Sequence, residues 1–310
     1  LNRQLAARQT HCARQMAVGD GHVVYVEECA AVDGLPVLFL PGGPGTGCAP
    51  QLSQLFDPQR FHAILPDPRG CGHSQPRGAL QANTTPDLVA DLDYVREALG
   101  LSAWIVFGGG WGSLLALAYA QLFPERVQGL VLQGVFLGSR SEIAAYVQGS
   151  NATPPAGWAA FAAAMPAAEQ DDLLAAYARR ILGPEPQVAA AAVRAWLDYE
   201  RAQHGVPPLA APPDAAQIAQ ARVRLHYLLH DCFIAPGRLL DGIDRIRHIP
   251  AAIVHGTADP VCSPNIARTL YRAWPEATWL PVAGAGHGYS PPITRACSKA
   301  LGWVAECVAG

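Results

Sequence analysis

Charge is scarce in this chain of 310 residues: Asp, Glu, Lys and Arg make up 15%, against ~25% in an average globular protein. The 22 basic and 25 acidic side chains leave a formal net charge of -3, so the electrostatic footprint of a nucleic-acid or anionic-membrane partner is missing. No apolar run approaches the ~20 residues that cross a bilayer. The arginine-bearing first residues have no apolar stretch behind them, so no secretory leader is evident. The eight cysteines contain no Cys-x-x-Cys pair. In a chain long enough to fold without staples, they read as mostly free thiols of a reducing, cytoplasmic protein. His226 and His230 stand four apart without the glutamate of H-E-x-x-H, so they read as ordinary helix histidines and no metal site is assigned. What remains is 50% hydrophobic with a mean hydropathy of +0.12, which excludes a mainly disordered chain. At ~150 residues per domain the length allows about two folding units.

Short apolar runs alternate with helical patterns through the first ~135 residues, which predicts an α/β fold with a mostly parallel sheet. The segment 22–29 alternates like a half-buried strand. Residues 36–40, 61–66, 103–107 and 127–134 are continuous apolar runs of buried-strand length. Between two of them Thr85 is placed to cap a helix with Pro86 in its first turn, and Leu88, Leu92, Val95 and Leu99 recur at helical spacing. From 138 to 235 the pattern turns to Ala-rich helical segments broken by Pro and Gly. Buried strands resume at 251–256 and 278–282, and the last ~20 residues suit a helix around Leu301, Trp303 and Val304. The expected organisation is a core in two parts, 1–137 and 236–310, around a helical insertion at 138–235.

The strongest chemical signal is FGGGWGSLLALAYA, residues 107–120, which follows a buried strand and opens an apolar helix. This is the setting of the nucleophile elbow G-x-S-x-G, whose small residues permit a sharp turn that lifts the central side chain over the sheet. Gly108 and Gly112 match, but the central residue is Gly110. Asp259, in a turn after the strand 251–256, and His287, after the next strand, complete the order nucleophile, acid, histidine. The acid would orient the imidazole, and the imidazole would take and return a proton. In the loop PGGPG, 41–45, Pro44 cannot donate, which leaves the Gly43 and Trp111 N–H groups as the expected oxyanion donors. A dinucleotide reading of GGGWGS fits poorly, since G-x-G-x-x-G starting at Gly108 puts Ser113 at its third glycine.

These motifs resemble the proline iminopeptidases of the α/β-hydrolase fold over roughly residues 20–305. LPGGPG, 40–45, is similar to the family's L-H-G-G-P-G, with Pro41 for histidine, and DPRGCGHS, 67–74, to D-Q-R-G-x-G-x-S. GGGWGS resembles G-G-S-W-G-S with Gly110 at the serine, and HGTADPVCSP, 255–264, resembles H-G-R-Y-D-x-x-C-P. The resemblance implies a helical cap and removal of an N-terminal residue, preferably proline, from a peptide, with no metal or organic cofactor. It also implies that Glu200, in AWLDYE, anchors the substrate amine. A second family acid is replaced by Arg224 in ARVRLHYL, 221–228. A guanidinium there reverses the local field, so the expected substrate is a small peptide or an aminoacylated metabolite whose acidic group meets Arg224. In the competing reading Arg224 pairs with Glu200.

Glycine carries no atom that can form an acyl-enzyme. Three readings of Gly110 stay open: a Ser-to-Gly change introduced into a hydrolase, a natural non-hydrolytic or serine-independent enzyme that uses the acid–base pair of His287 and Asp259, and a ligand-binding homologue without catalysis.

Overall fold

The computed structural model describes residues 10–30, 34–48, 52, 55–149 and 154–309. Eight strands form one sheet: β1 (Thr10–Gly19), β2 (His22–Ala30), β3 (Leu35–Leu40), β4 (Phe61–Asp67), β5 (Trp104–Gly109), β6 (Val127–Gln133), β7 (Ala251–Gly256) and β8 (Thr278–Val282). Their order is β1-β2-β4-β3-β5-β6-β7-β8, antiparallel at β1–β2 and β2–β4 and parallel elsewhere. The central strands are apolar throughout because both sheet faces are covered. Leu38, Leu40, Val106, Leu130 and Ile253 face the core that holds α1 (Thr85–Ala98) and α2 (Trp111–Leu122). Val37, Phe39, Ile105, Phe107 and Val254 face the other core, with the C-terminal helix.

The elements predicted from apolar runs are all present, with three differences. The first is β1, which carries no apolar signature because as an edge strand most of its residues are exposed. The second concerns β8, whose residues are only partly buried because β7 is its one neighbour. The third is the cap of α1: Thr84, not Thr85, holds that position, because only Thr84 has an acid three residues on. Asp87 Oδ2 accepts from the Thr84 N–H at 2.9 Å, while the buried Thr85 turns inward and donates to the Cys232 carbonyl at 2.6 Å.

Between β6 and β7 the described residues form helices and no strand: α3 (Arg140–Gln148), α4 (Trp158–Ala163), α5 (Leu173–Ile181), α6 (Pro186–Gln203), α7 (Ala215–Leu229) and α8 (Arg238–Asp241). Helices α3 to α7 share a separate apolar cluster around Phe161, Tyr177 and Trp196. Helix α7 belongs to two clusters, with Leu225 and Leu228 in that one and Val223 and Tyr227 in the sheet core. Helices α9 (Pro264–Ala273) and α10 (Pro291–Ala309) complete the chain.

Candidate active site

Strand β5 runs into α2 through Gly110, whose φ of 52° and ψ of -122° favour glycine. The turn is held from both sides: the Gly110 N–H donates to the Gln133 carbonyl at 2.8 Å, and Ser113 Oγ donates to the Gly110 carbonyl at 2.6 Å. Gly108 and Gly112 are required by proximity, since a Cβ on Gly108 would strike the Gly112 carbonyl and one on Gly112 would strike that of Leu40. Ser113 is fully buried and also accepts from the Phe136 N–H at 3.0 Å, so its hydroxyl serves the turn. Cys71 is buried too, with Sγ against the Arg69 carbonyl.

His287 Nδ1 stands 2.8 Å from Asp259 Oδ2, and Asp259 Oδ1 accepts the Val261 and Cys262 N–H groups at 2.8 and 2.9 Å. Burial alone would raise the Asp259 carboxyl, yet His287 and the Cys262 N–H bring it below its ordinary value. Burial likewise opposes the His287 imidazolium, but the Cys262 sulfur and the Asp259 carboxylate outweigh it, and the His287 pKa lies well above that of an ordinary histidine. With Nδ1 on the acid, Nε2 faces the elbow: a Cβ on Gly110 would stand 3.3 Å from it. The sequence-predicted nucleophile position, acid and base therefore come together around one point.

Three further residues had escaped sequence reasoning. Gln133, buried at the end of β6, carries the elbow on its carbonyl and donates from Nε2 to the His287 carbonyl at 2.9 Å, joining the two halves of the site. His255, on β7, accepts the Val135 N–H at Nδ1 and sits 2.9 Å from the Cys262 carbonyl at Nε2. Burial lowers its pKa, so it lies beneath Asp259 as a neutral ring. His204, one residue past α6, has its ring centroid 6.2 Å from that of His287, and burial lowers its pKa as well. His204 had a readable signal in its spacing of four from Glu200, and His255 in opening the motif at 255–264; Gln133 had none.

Glu200, on α6, and Arg224, on α7, form an ion pair. Glu200 Oε1 also accepts from Tyr146 Oη and Trp196 Nε1, each at 2.8 Å, so its donors among the described residues converge on one oxygen. Burial works against the Arg224 charge, and Glu200 outweighs it, keeping the guanidinium protonated. The second Arg224 amino group lies 3.5 Å from Thr46 Oγ1 and 3.1 Å from where a Cβ of Gly43 would be, directly over the loop 41–45. Gly43 (φ 81°) and Trp111, the first residue of α2, flank the elbow, and among the described residues neither N–H has an intramolecular acceptor.

Gly43, Gly110, Trp111, Gln133, Tyr146, Glu200, His204, Arg224 and His287 line one cavity of about 620 Å³, whose wall also includes Phe136 and, from α3, α6 and α7, Ile143, Leu197 and Leu228. The other motif residues are scaffold. Arg69 holds Asp91 through two hydrogen bonds of 2.6 and 2.8 Å, and Asp67 accepts the Cys48 and His73 N–H groups. His226 and His230 each contact a backbone carbonyl, and among the described residues no group of three metal-ligating side chains forms.

The model of the α/β-hydrolase fold family matches residues 36–289. A proline iminopeptidase of Neisseria gonorrhoeae is 41% identical over 292 residues, covering 92% of this chain and 94% of the relative. One of Arabidopsis thaliana is 39% identical over 292 residues, with 92% and 77% covered. The crystal structure of a proline iminopeptidase from Mycobacterium smegmatis superposes with a TM-score of 0.61 at 18% identity, over 96% of this chain and 99% of that one, which speaks to the fold alone. With that identity over nearly its whole length, and with the elbow, acid and histidine assembled in the family's order, the chain belongs to the proline iminopeptidases of the α/β-hydrolase fold.

Proposed function

We propose that the cavity takes the N-terminal aminoacyl end of a peptide or of an aminoacylated small molecule and holds its amide bond over Gly110. His287 acts as base and acid, Asp259 as its orienting carboxylate, and the Gly43 and Trp111 N–H groups as oxyanion donors. Residues 138–235 serve as the cap that carries Glu200 and Arg224 to the substrate. Glu200 meets the amine through Oε2, since Oε1 is occupied, and an acidic substrate group is met by the amino group that Arg224 turns toward Thr46. The observation that carries this reading is the 3.3 Å between a Cβ at Gly110 and His287 Nε2. A serine there would find its base at hand, in a turn already shaped for it.

Covalent catalysis needs that serine, so the test is Gly110→Ser beside the unmodified chain. Product release is followed by mass spectrometry over prolyl, alanyl and other aminoacyl amides with neutral or acidic leaving portions. The serine variant is expected to be faster by at least ~10²-fold, since losing a triad nucleophile costs several orders of magnitude. If the serine variant turns over no member of the panel, the aminoacyl-amide reading falls.

A further inference from the structure

In the unmodified chain the machinery around Gly110 is complete except for an attacking atom. His287 Nε2 points at the place a serine side chain would fill, and Nδ1 is fixed on Asp259. The Gly43 and Trp111 N–H groups are free of intramolecular acceptors among the described residues. Neither Ser113 nor Cys262 stands at that place as a substitute: Ser113 Oγ is engaged with the Gly110 carbonyl and the Phe136 N–H, and the three atoms nearest a Cβ at Gly110 are two of the His287 ring and the Gly42 Cα, not the Cys262 sulfur. Removing Cβ and Oγ from this point makes room for one oxygen within the ~2.7–3.2 Å hydrogen-bond reach of Nε2.

We infer that the Gly110 chain is itself a hydrolase in which a water seated over Gly110 is the nucleophile and His287 its general base, so that the amide is cleaved in one displacement without an acyl-enzyme. The inference rests on the aminoacyl-amide reading for its substrate. Water oxygen bonds to the substrate carbonyl carbon while one of its protons passes to Nε2. The carbonyl oxygen becomes an oxyanion on the Gly43 and Trp111 N–H groups. Collapse breaks the C–N bond as the imidazolium returns the proton to the departing nitrogen, leaving a free amine and a carboxylic acid that ionises in solvent. Glycine then has a stereochemical reason to occupy the elbow, since a methyl group there would stand on the water's seat.

Four proteins decide the matter on prolyl and alanyl arylamides: the unmodified chain, Gly110→Ser, Gly110→Ala and His287→Gln. The unmodified chain is expected to be slower than Gly110→Ser but at least ~10-fold faster than Gly110→Ala. It should exceed His287→Gln by on the order of 10²-fold, the usual worth of a general base. Intact-protein mass spectra during turnover should show an acyl adduct only on Gly110→Ser. The pH profile of the unmodified chain gives a readout that needs no altered fold: its rate should climb as His287 loses its proton, and that limb should vanish in His287→Gln. Equal rates for the unmodified chain and Gly110→Ala, or an acyl adduct on the unmodified chain, overturn the inference. An active Gly110→Ser beside an unmodified chain no faster than His287→Gln overturns it while leaving the aminoacyl-amide reading intact. Inactivity of all four removes both.

Discussion

At the scale of single residues the site is governed by which charges are already compensated. Glu200 would be a strong anchor for an ammonium if it stood alone, but Arg224 cancels its charge and Tyr146 and Trp196 complete Oε1. On the proposed function, an incoming amine would meet Oε2 together with a nearby cation. Two like charges a few ångströms apart in a partly screened pocket oppose each other by a few kcal/mol at most. With Glu200 20% and Arg224 8% exposed, a figure of about 1 kcal/mol is reasonable after discounting for solvent. Arg224→Met in the Gly110→Ser background should then lower KM about fivefold for substrates with a free amine and leave it unchanged for N-acetylated ones. An unchanged ratio between the two classes would remove Glu200 as the anchor. The same variant strands a carboxylate that had an ionic partner, and a loss of about 1–3 kcal/mol in unfolding free energy is expected. The members of this cluster differ in how far the sequence announced them. Glu200 and Arg224 stood out through motif positions, and Gly110 through its departure from one. Tyr146 reaches Glu200 from 54 positions away, and no local pattern marks such a contact.

The decisive elements are the β5–α2 turn and the strand beside it. Apolar runs located the buried strands because both of their faces are covered, so every side chain reports burial. That signal fades at the sheet edges, which is why β1 was invisible and β8 looked more buried than it is. It is also silent about side chains that act by backbone pairing, such as Gln133, whose carbonyl and amide tie the elbow to the histidine loop. The elbow was legible because its glycines are steric necessities rather than preferences. Gly112 makes the point testable: any Cβ there collides with the Leu40 carbonyl at the end of β3, and neither partner is a flexible side-chain tip. Gly112→Ala should therefore cost upward of about 3 kcal/mol, beyond the ~1 kcal/mol of an average substitution. Chemical unfolding would register this as a lower midpoint with an unchanged slope. A loss within about 0.5 kcal/mol would mean that α2 can slide away from β3, and the 3.3 Å placement over His287 would then not be rigidly enforced.

For the whole molecule, the cavity lies where two apolar bodies meet, and α7 is shared between them. Its Leu225 and Leu228 pack into the cluster of α3–α6, its Val223 and Tyr227 into the sheet core, and Arg224 lies between the two sets. The seam is further tied by Tyr227 Oη donating to Asn83 Oδ1 at 2.9 Å and by Gln220 Nε2 donating to Thr46 Oγ1 at 3.2 Å. A ligand that touches Glu200 on one side and the oxyanion loop on the other bridges both bodies, so its binding energy should stabilise them together rather than one alone. Because water attack at Gly110 is slow beside acyl transfer, the unmodified chain permits that linkage to be measured before much ligand is consumed. At a hundred times its dissociation constant a ligand adds about 2.7 kcal/mol to the folded state. With ~2.1 cal/mol/K of unfolding entropy per residue, a chain of this length should gain about 4 °C in Tm. Prolinamide in excess should produce that shift in a single transition, and Glu200→Gln should abolish most of it. If prolinamide instead splits the transition and raises only the later part, then the two bodies unfold separately. The ligand would then be held by one of them, and α7 would be a neighbour of the site rather than the element that couples cap to core.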